Sequence, residues 1–276
     1  MKLNSIRMTV GALLWFVLAS VASAHELFVL PATSAASSGA SIAFTLSNGD
    51  IEKSINSTAW KDIADVSIFE NGTVNHLSEA NWHVDSNFSS FEHVFLHEGT
   101  SLVGVSTKPK LYQFSDAEFA DYLKEESIEP VRPVNLQGRA GKPVRERYSK
   151  HTMSYIQIGR ATSGDFPRGA GYPIEFQLQS NPQQLKVGDT VHFRVLARGV
   201  PVVRQRVLGG YRGFGYDAKH NPTNFLKLRT DEFGAASFAL TKTGRWYLYL
   251  VQMTPVRDPE CDVESHYVSL LFDVSS

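Results

Sequence analysis

The residue of this sequence best placed to do chemistry is His25. It follows Val21-Ala22-Ser23-Ala24, in which Ala22 and Ala24 supply the small residues a signal peptidase accepts before its cut. Lys2, Arg7 and an apolar run from Met8 to Val21 come before them. Cleavage after Ala24 would make His25 the first residue of the mature chain. Its free α-amino group and its imidazole would then close a chelate ring on one metal ion. An α-amine titrates at about 7.7–8.0, so the proton cost of such binding near neutral pH is small. The plain alternative is that His25 only opens a strand made by Leu27, Phe28, Val29 and Leu30.

Nine histidines are present. His151 follows a basic stretch and His266 enters the last strand beside Tyr267, so either would approach His25 if the first and last strands lie at a common seam. The metal candidates are therefore His25, His151 and His266. Imidazole ligands suit nickel, cobalt, copper or zinc, and a single cysteine, Cys261, excludes both a thiolate zinc site and an internal disulfide. His93 and His97 would be neighbours on a helix, but Phe91 to His97 alternates as a strand does. Such spacing puts the two imidazoles roughly 13 Å apart, too far to share an ion. His83 reads as a strand residue, and His76, His192 and His220 as surface or loop residues.

The elements that must position these residues are short strands. Apolar and polar residues alternate over 41–46, 91–96, 173–178 and 191–196, and further short strands are expected over 65–69, 81–84, 101–106, 152–158, 202–208, 224–228, 236–240, 246–251 and 267–274. Ser47-Asn48-Gly49-Asp50 and Lys186-Val187-Gly188-Asp189 supply turns. Ser115-Asp116-Ala117-Glu118 is a capping box that opens one short helix with Phe119 and Leu123 on a common face. The fold class expected is all-β: two Ig-like β-sandwich domains over 25–165 and 166–276, preceded by a signal peptide over 1–24. Residues 132–150 are rich in Arg and Lys and are expected to form a solvated connector whose arginines pair with carboxylates. Gly209 to Asn224 is an aromatic loop carrying Tyr211, Phe214, Tyr216 and His220, and loops of that length often carry function.

Composition narrows the classes. The chain has 276 residues, 42% hydrophobic and 20% charged, with a net charge of -1. Losing Lys2 and Arg7 with the leader leaves 25 basic against 28 acidic residues, a balance that does not favour nucleic acid. No nucleophile elbow, His-Glu-x-x-His or phosphate-cradling glycine loop occurs, so the chain is not read as an enzyme.

A set of stretches, in order, resembles the NikM-like family of exported domains, a group of unknown function often described as the periplasmic component of a cobalt or nickel transport system. They are His25-Glu26-Leu27-Phe28-Val29-Leu30-Pro31, Glu146-Arg147-Tyr148-Ser149-Lys150 and Gly199-Val200-Pro201-Val202. Thr230-Asp231-Glu232-Phe233-Gly234, Gly244-Arg245-Trp246 and Val263-Glu264-Ser265-His266-Tyr267 complete the set. The resemblance implies a periplasmic or secreted protein that captures nickel or cobalt, with copper or zinc also suited, and hands it to a membrane transporter. One departure is Gln252, which stands beside Met253 where relatives often carry a histidine. Two alternatives remain open. One is an envelope module that binds glycan or protein through the Tyr211 loop or the segment 132–150. The other is a copper-dependent oxidative enzyme built on the N-terminal histidine.

Overall fold

The computed structural model describes residues 26–49, 51–126, 128, 142–162, 165–213 and 226–275. Three β-sheets are stacked so that the largest lies in the middle. The N-terminal sheet pairs β1 (Glu26–Pro31) with β3 (Ser41–Gly49), then β8 (Ser89–Val94) and β7 (His83–Val84), and β4 (Ser54–Asn56) adds to β3. The middle, 10-stranded sheet runs β16 (Leu226–Arg229), β15 (Arg206–Tyr211), β18 (Gly244–Pro255), β19 (Val263–Val274), β11 (Val144–Ile158), β9 (Gly99–Thr107), β5 (Ile63–Glu70) and β6 (Thr73–His76). Two further strands, β2 (Ala35–Ala36) and β10 (Lys110–Phe114), pair with β11. The third sheet holds β12 (Ile174–Leu178), β13 (Thr190–Ala197), β14 (Val200–Pro201) and β17 (Ala235–Ala239).

The all-β expectation thus stands, with α1 (Asp116–Glu125) the one α-helix among the described residues. Its capping box forms as written in the sequence: the Ser115 hydroxyl accepts from the Glu118 backbone N–H, and the Glu118 carboxylate accepts from that of Ser115. No helix among the described residues is long and apolar enough to cross a membrane.

The alternation of each strand of the middle sheet sorts its side chains onto two faces. One face carries Val66, Ile68, Val103, Val105, Ile156 and Ile158 against Phe44, Phe91 and Leu46 of the N-terminal sheet. The other carries Met153, Tyr155, Trp246, Leu248, Val268 and Leu270 against Ile174, Phe176 and Phe193 of the third sheet. Position 165 falls between β11 and β12, yet the halves on either side of it share one sheet. Strands β11 and β19 pair in parallel from Glu146↔Val263 to Ser154↔Leu271.

Two local expectations need correction. Residues 144–150 are not connector but the first half of a 15-residue strand. Arg145 donates from Nε and Nη2 to the buried carboxylate of Asp262, and Arg147 pairs with Asp258 and Glu260. The arginines meet carboxylates as expected, but those partners pin a core strand in place. The strand expected over 202–208 is displaced to Arg206–Tyr211, because Val202 N–H bonds back to Val195 and Arg204 takes a positive φ of 58°. Residues 129–141 and 214–225, with Arg132, Arg139, Phe214, Tyr216 and His220, lie outside the described residues.

Candidate functional site

His151 and His266 meet. In the parallel ladder Ser149 stands opposite His266, and His151 is two residues along the same strand, so all three side chains leave the sheet on one face. His151 Nε2 lies 3.2 Å from His266 Nδ1. The Ser149 hydroxyl lies 3.1 Å from the first nitrogen and 2.9 Å from the second. On its far side His151 Nδ1 lies 2.9 Å from the Ser106 hydroxyl of β9, which holds the ring and its other nitrogen in one orientation.

Tyr172 closes the site, its ring stacked on His151 at 5.3 Å between centroids. Room for it is made by Gly104, since a Cβ at that position would stand 2.5 Å from the tyrosine hydroxyl. Burial, and secondarily the neighbouring His266, pushes the His151 pKa down to about 3. Burial also lowers His266, with Glu264 opposing that shift and Arg198 adding to it. Both imidazoles are therefore neutral near pH 7, the form in which histidine binds metal.

Two nitrogens bound to one ion at about 2.0–2.1 Å stand roughly 3.3–3.4 Å apart at the tetrahedral angle. The observed 3.2 Å matches that separation closely. The fit is to a pair of ligands only. Among the described residues, no group of three or more His, Cys, Asp or Glu side chains is arranged to hold a metal ion.

His25 lies outside the described residues. Its chain neighbour Glu26 starts β1, which packs on the opposite face of the middle sheet. There Leu27 O accepts from Ser269 Oγ, and the Val29 N–H donates to Thr152 Oγ1. The described positions thus gather His151 and His266 but do not lead the start of β1 towards them. Gln252 is directly opposite His266 in the β18–β19 ladder, so the position of the departure noted in the sequence adjoins the pair. Sequence reasoning missed Ser106, Ser149 and Tyr172; the alternation of Ser149 with His151 was the one local sign.

The face beneath β1 carries a second polar group. Lys150 Nζ donates to Asn48 Oδ1 at 2.7 Å and lies over the Tyr267 ring. Burial brings its pKa down to about 8. Tyr122 donates to the buried Glu146 carboxylate at 2.9 Å and shares a hydrogen bond with Tyr267. The remaining candidates are placed more simply. Cys261 is free and buried, and burial raises its pKa. Tyr211 packs against Trp246 at 5.0 Å. His83 and His192 are exposed, and His76 pairs with Asp65.

These features define a layered β-sandwich protein with a close pair of histidines, one buried and one half-buried, where β11 and β19 pair. The chain belongs to the family described as a domain of unknown function, DUF4198, whose model matches residues 22–254. A search of curated proteins gives no match. Among solved structures, murine CEACAM1b aligns at 6% identity and a TM-score of 0.22, over 91% of this chain and 100% of that one. Latent PorU from Porphyromonas gingivalis aligns at 11% identity and 0.20, over 91% and 20%. Alpha-2-macroglobulin from Escherichia coli aligns at 9% and 0.24, over 91% and 16%. This chain thus spans only a small part of the latter two.

Proposed function

We propose that this protein is an exported metal-binding protein that captures a divalent transition-metal ion, nickel or cobalt before copper or zinc, for a membrane uptake system. The observation that carries the reading is the 3.2 Å separation of His151 Nε2 and His266 Nδ1, two neutral imidazole nitrogens at ligand spacing. The metal is cargo, so the site needs only reversible capture. Ser106 orients one ligand through its far nitrogen, the outer-shell arrangement that raises imidazole basicity and fixes the tautomer. The remaining coordination positions fall to water or to the transporter, and a chelate made by the terminal His25 amine and imidazole would be a separate grip on an ion. Export rests on the leader and the Ala22–Ala24 site.

Calorimetric titration of the processed protein with nickel, cobalt, copper and zinc tests this. Binding of an ion at this pair is expected, and His266→Ala should weaken it at least about tenfold, as loss even of a supporting partner does at metal sites. Adding one residue before His25 probes the terminal chelate. If only that extension weakens binding, the pair is not the site, and if no ion binds, the reading falls.

A companion variant, Gln252→His, would set a third imidazole opposite His266, where directly paired side chains have Cβ atoms about 4.5–5.5 Å apart. It is expected to tighten binding at least about tenfold and to change the visible spectrum of the cobalt form. An unchanged affinity and spectrum would show that position 252 does not reach the ion.

A further inference from the structure

We infer that the two turns carrying Val200, Val203 and Phe233, together with Arg198 and Arg204, form a docking surface for an anionic phospholipid bilayer. Its place in metal delivery rests on the metal-capture reading, whereas the docking itself does not. Strands β13 and β14 are joined through Arg198 and Gly199, whose positive φ values of 48° and 80° make the tight hairpin that puts Val200 directly after its tip. The second turn, 231–234, is closed by the Asp231 carboxylate, which accepts from the Phe233 and Ala235 N–H groups.

The two turns touch. A Cβ on Gly234 would stand 2.9 Å from Pro201 Cβ and 3.0 Å from the Val202 nitrogen. The Arg204 N–H donates to Thr230 O, the Thr230 hydroxyl to Val202 O, and Arg229 Nη1 to Arg204 O. Val200, Val203 and Phe233, which are 64%, 49% and 62% exposed, thus stand on one short ribbon at the edge of the third sheet.

The surroundings are basic. From Arg198 to Gly234 the sequence holds seven Arg and Lys against three Asp and Glu, in a chain whose net charge is -1. Apolar turn residues that enter the headgroup boundary and cations that meet lipid phosphates are the two contributions that hold a protein on an anionic bilayer. Each basic residue near such a surface is worth about fivefold in affinity. A stable protein interface uses roughly 20–30 residues a side, more than two turns supply.

The surface adjoins the histidine pair. Gln205 Nε2 donates to Val251 O, which sets the ribbon alongside β18 one residue from Gln252, the residue opposite His266. His266 also feels the positive charge of Arg198. Docking here brings the pair to the membrane in which an uptake system lies.

Co-sedimentation of the full mature protein with vesicles tests this. Vesicles of equal parts phosphatidylglycerol and phosphatidylcholine are expected to bind it at least about tenfold more tightly than phosphatidylcholine alone, and less tightly as salt is raised. Phe233→Ser, at an exposed position, should weaken binding at least about fivefold. Arg204→Asn removes a charge, suits the positive φ of 58° and should also cost about fivefold. Melting temperatures equal to the parent's show that both variants fold. Titrated with nickel, both should behave as the parent does, since neither residue belongs to the histidine pair. Vesicle binding without nickel binding keeps the docking and removes the metal reading, and nickel binding without vesicle binding does the reverse. Equal binding to neutral vesicles, or binding untouched by both variants, overturns the inference. Self-association lost with Phe233→Ser, with no vesicle binding, makes a second copy the occupant and overturns it too.

Discussion

Replacing Trp246 by alanine is expected to lower the unfolding free energy by about 3–5 kcal/mol, the range for deleting a large buried aromatic. Trp246 is 1% exposed near the start of β18 and lies opposite Phe272 of β19 and Tyr211 of β15. Its ring packs on Phe238 of the third sheet at 5.5 Å and on Tyr211 at 5.0 Å, so it bridges the two layers. The indole N–H donates to Lys242 O at 3.0 Å, and alanine would leave that carbonyl without its donor as well as opening a cavity. Trp246→Phe should recover most of the loss by refilling the space. Urea denaturation, with the slope checked for change, measures both. A deficit under about 1 kcal/mol for Trp246→Ala would mean that the layers collapse freely at this point.

Acid is expected to destabilise the metal-free protein through His151. The group titrates at about 3 in the folded chain because of burial, against about 6.5 when unfolded. Between those values the unfolded chain binds more protons, so stability rises with pH there. The contribution is complete above pH about 6.5 and is lost as pH falls towards 3. Its full size is on the order of 5 kcal/mol. His266, also lowered by burial, acts in the same sense. Glu146, which burial raises, acts in the opposite one. The informative comparison is therefore parent against His151→Asn with a chelator present. The variant should show a shallower decline in melting temperature from pH 6.5 to pH 4. Parallel curves would mean that His151 takes up its proton without disturbing the fold.

Much of the architecture was legible because it depends on local chemistry. Ser115 and Glu118 form their capping box within four residues of chain, and no distant contact is needed to complete it. Period-2 alternation located β3, β12 and β13 to within a few residues, since an alternating strand has one face to bury wherever its partner lies. The basic run at 145–150 misled because charge alone does not say whether carboxylates will meet it. Asp258, Glu260 and Asp262 do so from more than a hundred residues away.

By itself, then, the sequence determined many of the strands, where the helix begins and which histidines merit attention. Tertiary structure alone decided who meets whom. The parallel register of β11 on β19 puts Ser149 opposite His266 and so brings His151 within ligand distance of it. The turn after β8 carries His97 over Glu70. The two faces of the middle sheet set the start of β1 apart from the histidine pair. Each of these is a pairing between distant segments, chosen by which apolar faces bury each other, and no local pattern encodes that choice.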